Sequence, residues 1–235
     1  MQIHVLGNRG AYPHGGGACS GYLVDLDGYK VLLDCGSGVT ARVHERFAQV
    51  DAVILTHLHG DHMSDVLVLA YAVQNPPLQL YAPGTPAPIA AVLQSDAQRY
   101  DFHEVHEDSV LELGGAKFSF CRTNHPVECY AVKIEHDGKC FVYSGDTNQS
   151  AQVEEFVQDA DLLLCDACFS QADWSADKPH LSAALAGRMA RERRCKQLVI
   201  THFMARSDVP LLQDEASRTF GSSVQSSYPA MTLTL

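Results

Sequence analysis

The chain is expected to fold as an α/β protein, a four-layer αββα sandwich of two mixed β-sheets flanked by helices. Three observations predict this class. Strand-like apolar runs outnumber helical ones in both halves of the 235-residue sequence. Each half contains two such runs joined through an Asp-Gly pair, Asp27-Gly28 and Asp137-Gly138, the pair favoured in two-residue hairpin turns. No stretch rich in Pro, Gly or Ser separates the halves. Sheets and amphipathic helices must each bury a face, and two sheets with helices outside satisfy both. With 46% hydrophobic residues the chain can bury a sizeable core, and it is read as one domain over residues 1–235.

The elements follow in order. Residues 2–6 alternate polar and apolar side chains, the period of a half-buried strand. Strands at 22–26 and 30–34 flank the first Asp-Gly turn, and Ala52-Val53-Ile54-Leu55 is a short buried run. A strand at 79–82 follows the turn around Pro76-Pro77. Val66, Leu67, Leu69 and Ala70 recur at helical spacing and predict a helix over 61–74, with another over 86–98. The second half gives strands at 110–113, 117–122, 130–136, 139–144, 162–165, 197–201 and 231–235, and helices at 153–158, 182–194 and 207–218. Ser182 is a good N-cap for the helix it opens.

Composition narrows the function classes. There are 17 basic and 28 acidic residues, a net charge of −11, so no broad basic face for nucleic acid is announced. The densest basic run, 191–196, reads as a solvated helix end favoured by the helix dipole. The N-terminus enters a strand directly, without a basic then apolar leader, and no apolar stretch approaches the roughly 18 residues of a membrane span. A cytoplasmic protein with no membrane partner is expected. The eight cysteines are scattered through apolar runs, which suits reduced, buried thiols. Cys165-Asp166-Ala167-Cys168 is formally a CxxC, but lacks the second pair that a structural zinc site uses.

The chemistry concentrates at Thr56-His57-Leu58-His59-Gly60-Asp61-His62, three imidazoles and a carboxylate at a strand-to-helix turn. On extended backbone His57 and His59 point to one side, and Asp61 and His62 open the helix beyond them. Imidazole and carboxylate are ligands for Zn²⁺, Mn²⁺ or Fe²⁺, and two overlapping sets suggest two ions. His125, Asp146 and His202 each follow the end of an apolar strand, as His57 does, which is where packed scaffolds present their chemistry. Gly15-Gly16-Gly17, after Tyr12 and His14, reads by itself as a flexible turn and lacks the Lys-Ser/Thr of a phosphate-binding loop.

With those residues in place the chain resembles the metallo-β-lactamase superfamily, whose signature is HxHxDH followed by a His, a bridging Asp and a final His. The resemblance covers nearly the whole chain. It implies that His57, His59 and His125 hold one metal, that Asp61, His62 and His202 hold a second, and that Asp146 bridges them. Zinc is the metal implied, with manganese and iron as alternatives on the same ligands. Asp34, in Leu33-Asp34-Cys35-Gly36, matches an aspartate that fixes a ligand imidazole from behind.

Within the superfamily, Asp146 at the bridging position is similar to the phosphodiesterase and hydrolase side rather than to zinc β-lactamases with a cysteine there. Leu163 to Phe169, His180-Leu181-Ser182 and Thr201 to Arg206 resemble the ribonuclease Z branch. That likeness implies that Asp166 orients His180, and that His180 gives a proton to the leaving oxygen or stabilises the transition state. It implies Asp61 as ligand and base, and Arg206 as a phosphate contact. Asp166 is one methylene shorter than the branch's Glu. The long basic arm with which ribonuclease Z grips tRNA has no counterpart, so the chain looks closer to the compact, YhfI-like phosphodiesterases. The expected substrate is a small or cyclic phosphodiester or a short nucleic acid, and the branch implies a homodimer. The alternatives are a tRNA 3′ endonuclease, a lactone or thioester hydrolase, and a non-enzymatic metal-binding protein.

Overall fold

A computed structural model describes residues 1–46, 49–72 and 76–235, with backbone only for residues 44–46. The chain divides into two compact units, Met1–His106 with Tyr228–Thr234, and Glu107–Ser227 with Leu235. The first contains β1 (Gln2–Gly7), β2 (Gly21–Leu26), β3 (Tyr29–Leu33), α1 (Val39–Arg46), β4 (Ala52–Ile54), α2 (Gly60–Met63), α3 (Val66–Leu69), β5 (Leu78–Ala82), α4 (Ala87–Gln94) and β6 (Tyr100–Glu104). The second contains β7 (Val110–Leu113), β8 (Ala116–Arg122), β9 (Tyr130–His136), β10 (Lys139–Tyr143), α5 (Ala151–Phe156), β11 (Leu162–Asp166), α6 (Ala183–Glu192), β12 (Leu198–Thr201), α7 (Val209–Phe220) and β13 (Gln225–Ser226). The last strand, β14 (Thr232–Thr234), returns to the first unit and pairs with β1, Ile3 opposite Leu233.

Each unit holds a seven-stranded mixed sheet, and the two sheets share one plan. In the order β14-β1-β2-β3-β4-β5-β6, pairing is antiparallel as far as β3 and parallel beyond it. In the order β7-β8-β9-β10-β11-β12-β13, it is antiparallel as far as β10 and parallel beyond. The two hairpins sit at equivalent places. Asp27 and Gly28 have φ of 52° and 108°, Asp137 and Gly138 have 50° and 70°, the left-handed pair a two-residue hairpin turn requires. The parallel strands β4 and β11 are buried along their whole length, which is why they read as unbroken apolar runs.

Helices cover the sheets. In the first unit Leu32, Val53 and Leu80 pack in one cluster with Val39 and Val43 of α1 and Leu93 of α4. In the second, Val142, Leu163 and Ile200 pack with Ala186 and Met189 of α6 and with Leu212 and Ala216 of α7. The helices α6 and α7 approach closely at Gly187, where a Cβ would lie 2.2 Å from Thr219 Oγ1 and 2.3 Å from Ala216 O. Among the described residues no helix is long and apolar enough to cross a membrane. Seven cysteines are buried, and all eight are free thiols. Burial pushes the Cys19 and Cys121 thiols up to about 11 and Cys195 to about 12.

Several elements depart from expectation for identifiable reasons. The helix expected over 61–74 is two short ones, Gly60–Met63 and Val66–Leu69, and its expected end at Gln74 lies outside the described residues. The break falls where Asp65 turns its carboxylate to accept from Gly38 N and Thr40 N, each at 2.9 Å. That contact caps α1, a helix with no capping side chain of its own at Gly38 and therefore unannounced locally. The edge strand β6 was also unexpected, because Asp101, His103 and Glu104 give it a polar, half-exposed reading. The second sheet's edge strand β13 is only two residues long, too short for a periodic signal.

Candidate metal centre

In the first unit the chemistry starts where β3 and β4 end. Asp34 follows β3 in a left-handed conformation (φ 58°), a position that costs a residue with a side chain about 1–3 kcal/mol. Its turn aims a fully buried carboxylate at the end of β4. Oδ1 accepts from Thr56 N (2.8 Å), both oxygens lie 3.0 Å from Thr56 Oγ1, and Oδ2 accepts from His62 Nδ1 (2.7 Å). Thr56 Oγ1 is also 3.0 Å from His57 Nδ1. An ionised carboxylate only accepts, so the single Thr56 proton goes to Asp34 and the hydroxyl oxygen accepts the His57 Nδ1 proton. Both His57 and His62 are thereby held as the tautomer whose Nε2 carries the lone pair.

The lone pairs converge. His57 Nε2 lies 3.1 Å from His59 Nδ1, and the His57 and His62 rings are 4.1 Å apart. Two nitrogens on a tetrahedral zinc ion, at bonds of about 2.05 Å, are about 3.3 Å apart, so the donor set fits a divalent ion in spacing as well as in chemistry. Asp61 lies beside them, its Oδ2 3.8 Å from His62 Nε2 and accepting from Ala11 N at 2.7 Å. That bond brings the loop after β1 to the cluster. Tyr12 and His14 lie on the same loop with their rings edge-on at 5.8 Å. Gly36 is needed where the backbone of Asp61 crosses, since a Cβ would lie 2.0 Å from Asp61 O.

Sequence reasoning missed the role of Thr56, although it sits directly before His57. Thr56→Val is expected to weaken metal affinity by about 10–100-fold, the usual cost of losing a partner behind a ligand imidazole. Thr56→Ser keeps both hydrogen bonds and should restore it. Competition against a chelator, with metal content measured on the recovered protein, checks both.

The second unit gathers its own cluster where β8, β10, β11 and β12 end. Asp146 is nearly buried, with His202 Nε2 3.5 Å from Oδ1 and both His125 Nε2 and His180 Nδ1 3.9 Å from Oδ2. The His180 ring centre lies 4.7 Å from that of His202 and 5.4 Å from that of His125. His202 has φ of 66°, a second strained strand end. Asp166, the last residue of β11, accepts from Thr147 N (3.1 Å), Cys168 N (3.2 Å) and His180 Nδ1 (2.8 Å). His125 Nδ1 donates to Pro179 O at 3.2 Å. The same rule of tautomers turns Nε2 of His125 towards Asp146 and keeps Nε2 of His180 away from its anchor. Asp146, Asp166, His180 and His202 offer ligand atoms within 4.8 Å of one another, as do Cys168, His180 and His202. Cys165, the other member of the CxxC, belongs to the apolar core.

Arg206 is exposed and lines a cleft of about 370 Å³ with Lys178, Phe169, Met204 and Leu211. Sequence reasoning also missed Asn148 and Trp174, whose contacts with the His180 segment join positions far apart in the chain.

A family profile described as Beta-lactamase superfamily domain matches residues 29–203. The probable metallo-hydrolase YhfI of Bacillus subtilis (strain 168) is 30% identical over 95% of this chain and 96% of its own. A crystal structure of that Bacillus subtilis protein, described as a metallo-beta-lactamase fold protein, matches with TM-score 0.93 over 99% of both chains at 28% identity. A ribonuclease Z of Methanopyrus kandleri is 27% identical over 94% of this chain and 93% of its own. The two mixed sheets with their helices therefore belong to the fold class expected at the outset.

Proposed function

Because the chain belongs to the metallo-β-lactamase superfamily, in its ribonuclease Z-like and YhfI branch, we propose that this metal-dependent hydrolase is a dinuclear phosphodiesterase acting on a small or cyclic phosphodiester or a short nucleic acid. The observation that carries the reading is the Asp166–His180 pair, a proton donor anchored at 2.8 Å and set beside Asp146. Hydrolysis of a thioester, whose weakly basic thiolate departs without a proton, has less need of that donor. The ligands in this reading are His57, His59 and His125 for one ion, Asp61, His62 and His202 for the other, and Asp146 for both, with zinc as the metal and manganese or iron as alternatives.

When bound, such ions supply Lewis acidity and draw a nucleophile from water at neutral pH. The chain's own residues do the rest. Asp34 and Thr56 hold the imidazoles in their ligating tautomers. Asp61, steadied by the Ala11 amide, orients the attacking water and accepts its proton. His180, fixed on Asp166 through Nδ1, gives a proton from Nε2 to the departing oxygen. Arg206, on the cleft beside Phe169, contacts a phosphate oxygen.

The test is the rate of the metal-loaded protein on bis-p-nitrophenyl phosphate, cyclic nucleotides, a tRNA precursor, a lactone and a thioester. The expected result is cleavage of small diesters well above that of the lactone and thioester. A preference for the tRNA precursor favours the endonuclease reading, which the likeness to the Methanopyrus kandleri ribonuclease Z supports. Ring opening of the lactone without diester cleavage would overturn the proposal.

A further inference from the structure

Asn148 lies two residues beyond Asp146 and is 3% exposed. Its side-chain amide is fully used. Nδ2 donates to Ala176 O (3.2 Å) and Lys178 O (2.5 Å), and Oδ1 accepts from Gln149 N (2.7 Å) and Trp174 Nε1 (3.1 Å). Its backbone N donates to Asn124 O at 2.9 Å, the residue before His125. Trp174 Nε1 is shared, donating also to His180 O at 3.1 Å. The neighbouring Thr147 N donates to Asp166.

These bonds all meet one segment. Residues 174–180 have no helix or strand, and α6 starts only at Ala183. Yet the segment supplies the Pro179 carbonyl that aims His125 and the imidazole of His180. Trp174 packs against the core, but the rest of this stretch is half-exposed or exposed, so its position depends on that one side chain and on hydrogen bonds from the buried side. We propose that Asn148 and Trp174 form a latch that positions His180, and so sets how effectively a proton reaches the leaving oxygen. The latch joins the loops of His125, Asp146 and His180 into one hydrogen-bonded unit. Asn148 and Trp174 are positioning residues, since they act through His180. The inference rests on His180 being the proton donor of a diester hydrolase.

Dependence on the leaving group separates this role from a merely structural one. A nitrophenolate departs without a proton, whereas an alkoxide needs one, so a displaced donor slows alkyl diesters more. Trp174 is the sole tryptophan of the chain and reports the latch by its emission. Metal-loaded wild type, Asn148→Ala, Asn148→Asp and His180→Ala are compared on a 3′,5′-cyclic nucleotide and on bis-p-nitrophenyl phosphate, with metal content and circular dichroism measured on each. Asn148→Asp can still accept from Trp174 but cannot donate to the two carbonyls. Both Asn148 variants are expected to lose activity on the cyclic nucleotide by about 10–100-fold, a fall at least about tenfold larger than on the nitrophenyl diester. Trp174 emission should move to the red in Asn148→Ala and stay in place in His180→Ala. Equal losses on both substrates, or no loss, in folded and metal-replete Asn148 variants overturn the latch alone, provided His180→Ala shows the leaving-group dependence. If His180→Ala lacks that dependence, the donor role fails and the latch falls with it.

Discussion

Asp146→Asn is expected to lower phosphodiester hydrolysis by about three orders of magnitude or more. The substitution preserves volume and shape but removes a carboxylate charge that His125, His180 and His202 all face within 3.9 Å. As the residue proposed to touch both ions, it contributes to two Lewis-acid positions at once, and a loss of about 4 kcal/mol in transition-state stabilisation corresponds to about a thousandfold. Because Asp146 is buried beside three imidazoles, the amide also leaves the neighbouring ligands less well balanced in charge. Steady-state kinetics with saturating metal, together with metal stoichiometry, checks the result. If Asp146→Asn retains near wild-type rates with two bound ions, the bridging assignment is wrong.

The second large effect is expected at His180. His180→Ala should reduce the rate on alkyl or cyclic diesters by about 10²–10³-fold, within the range for a positioned general acid. The shape of the pH profile should change as well. A donor must be protonated in the reacting form, so its loss of the proton makes activity fall on the alkaline side, and the variant should lose that limb. Metal content should be unchanged, since the imidazole is anchored on Asp166 rather than assigned as a ligand. A variant with the wild-type alkaline limb would assign that limb to another group and remove His180 from the proton-transfer step.

Much of this architecture is legible in the sequence because the informative residues are locally constrained. The hairpin turns announce themselves through Asp-Gly, and β4 and β11 through unbroken apolar runs, since these depend on the few residues around them. The strand-end positions of His57, His125, Asp146 and His202 follow from the apolar runs of β4, β8, β10 and β12. Long-range contacts account for what was missed. The helix α1 is capped by Asp65, a residue 25 positions beyond Thr40 in sequence. Asn148 is 26 positions from its Trp174 partner, and nothing in either neighbourhood signals the other. The role of Thr56 was hidden for a different reason. A threonine before a histidine is unremarked until the turned carboxylate of Asp34 shows where its one proton goes.

The return of β14 to β1 has a consequence for the order in which the molecule can be completed. Synthesis runs from the N-terminus, so the six other strands of the first sheet emerge before any of the second unit, while the partner for Gln2, Ile3 and His4 emerges after every helix and strand of that unit. Throughout that interval the outer side of β1 offers unsatisfied backbone groups, the kind of edge onto which another chain can add a strand. The sheet begun first is thus the one finished last, and a ribosome stalled anywhere in residues 107–227 leaves a nascent chain with an adhesive margin.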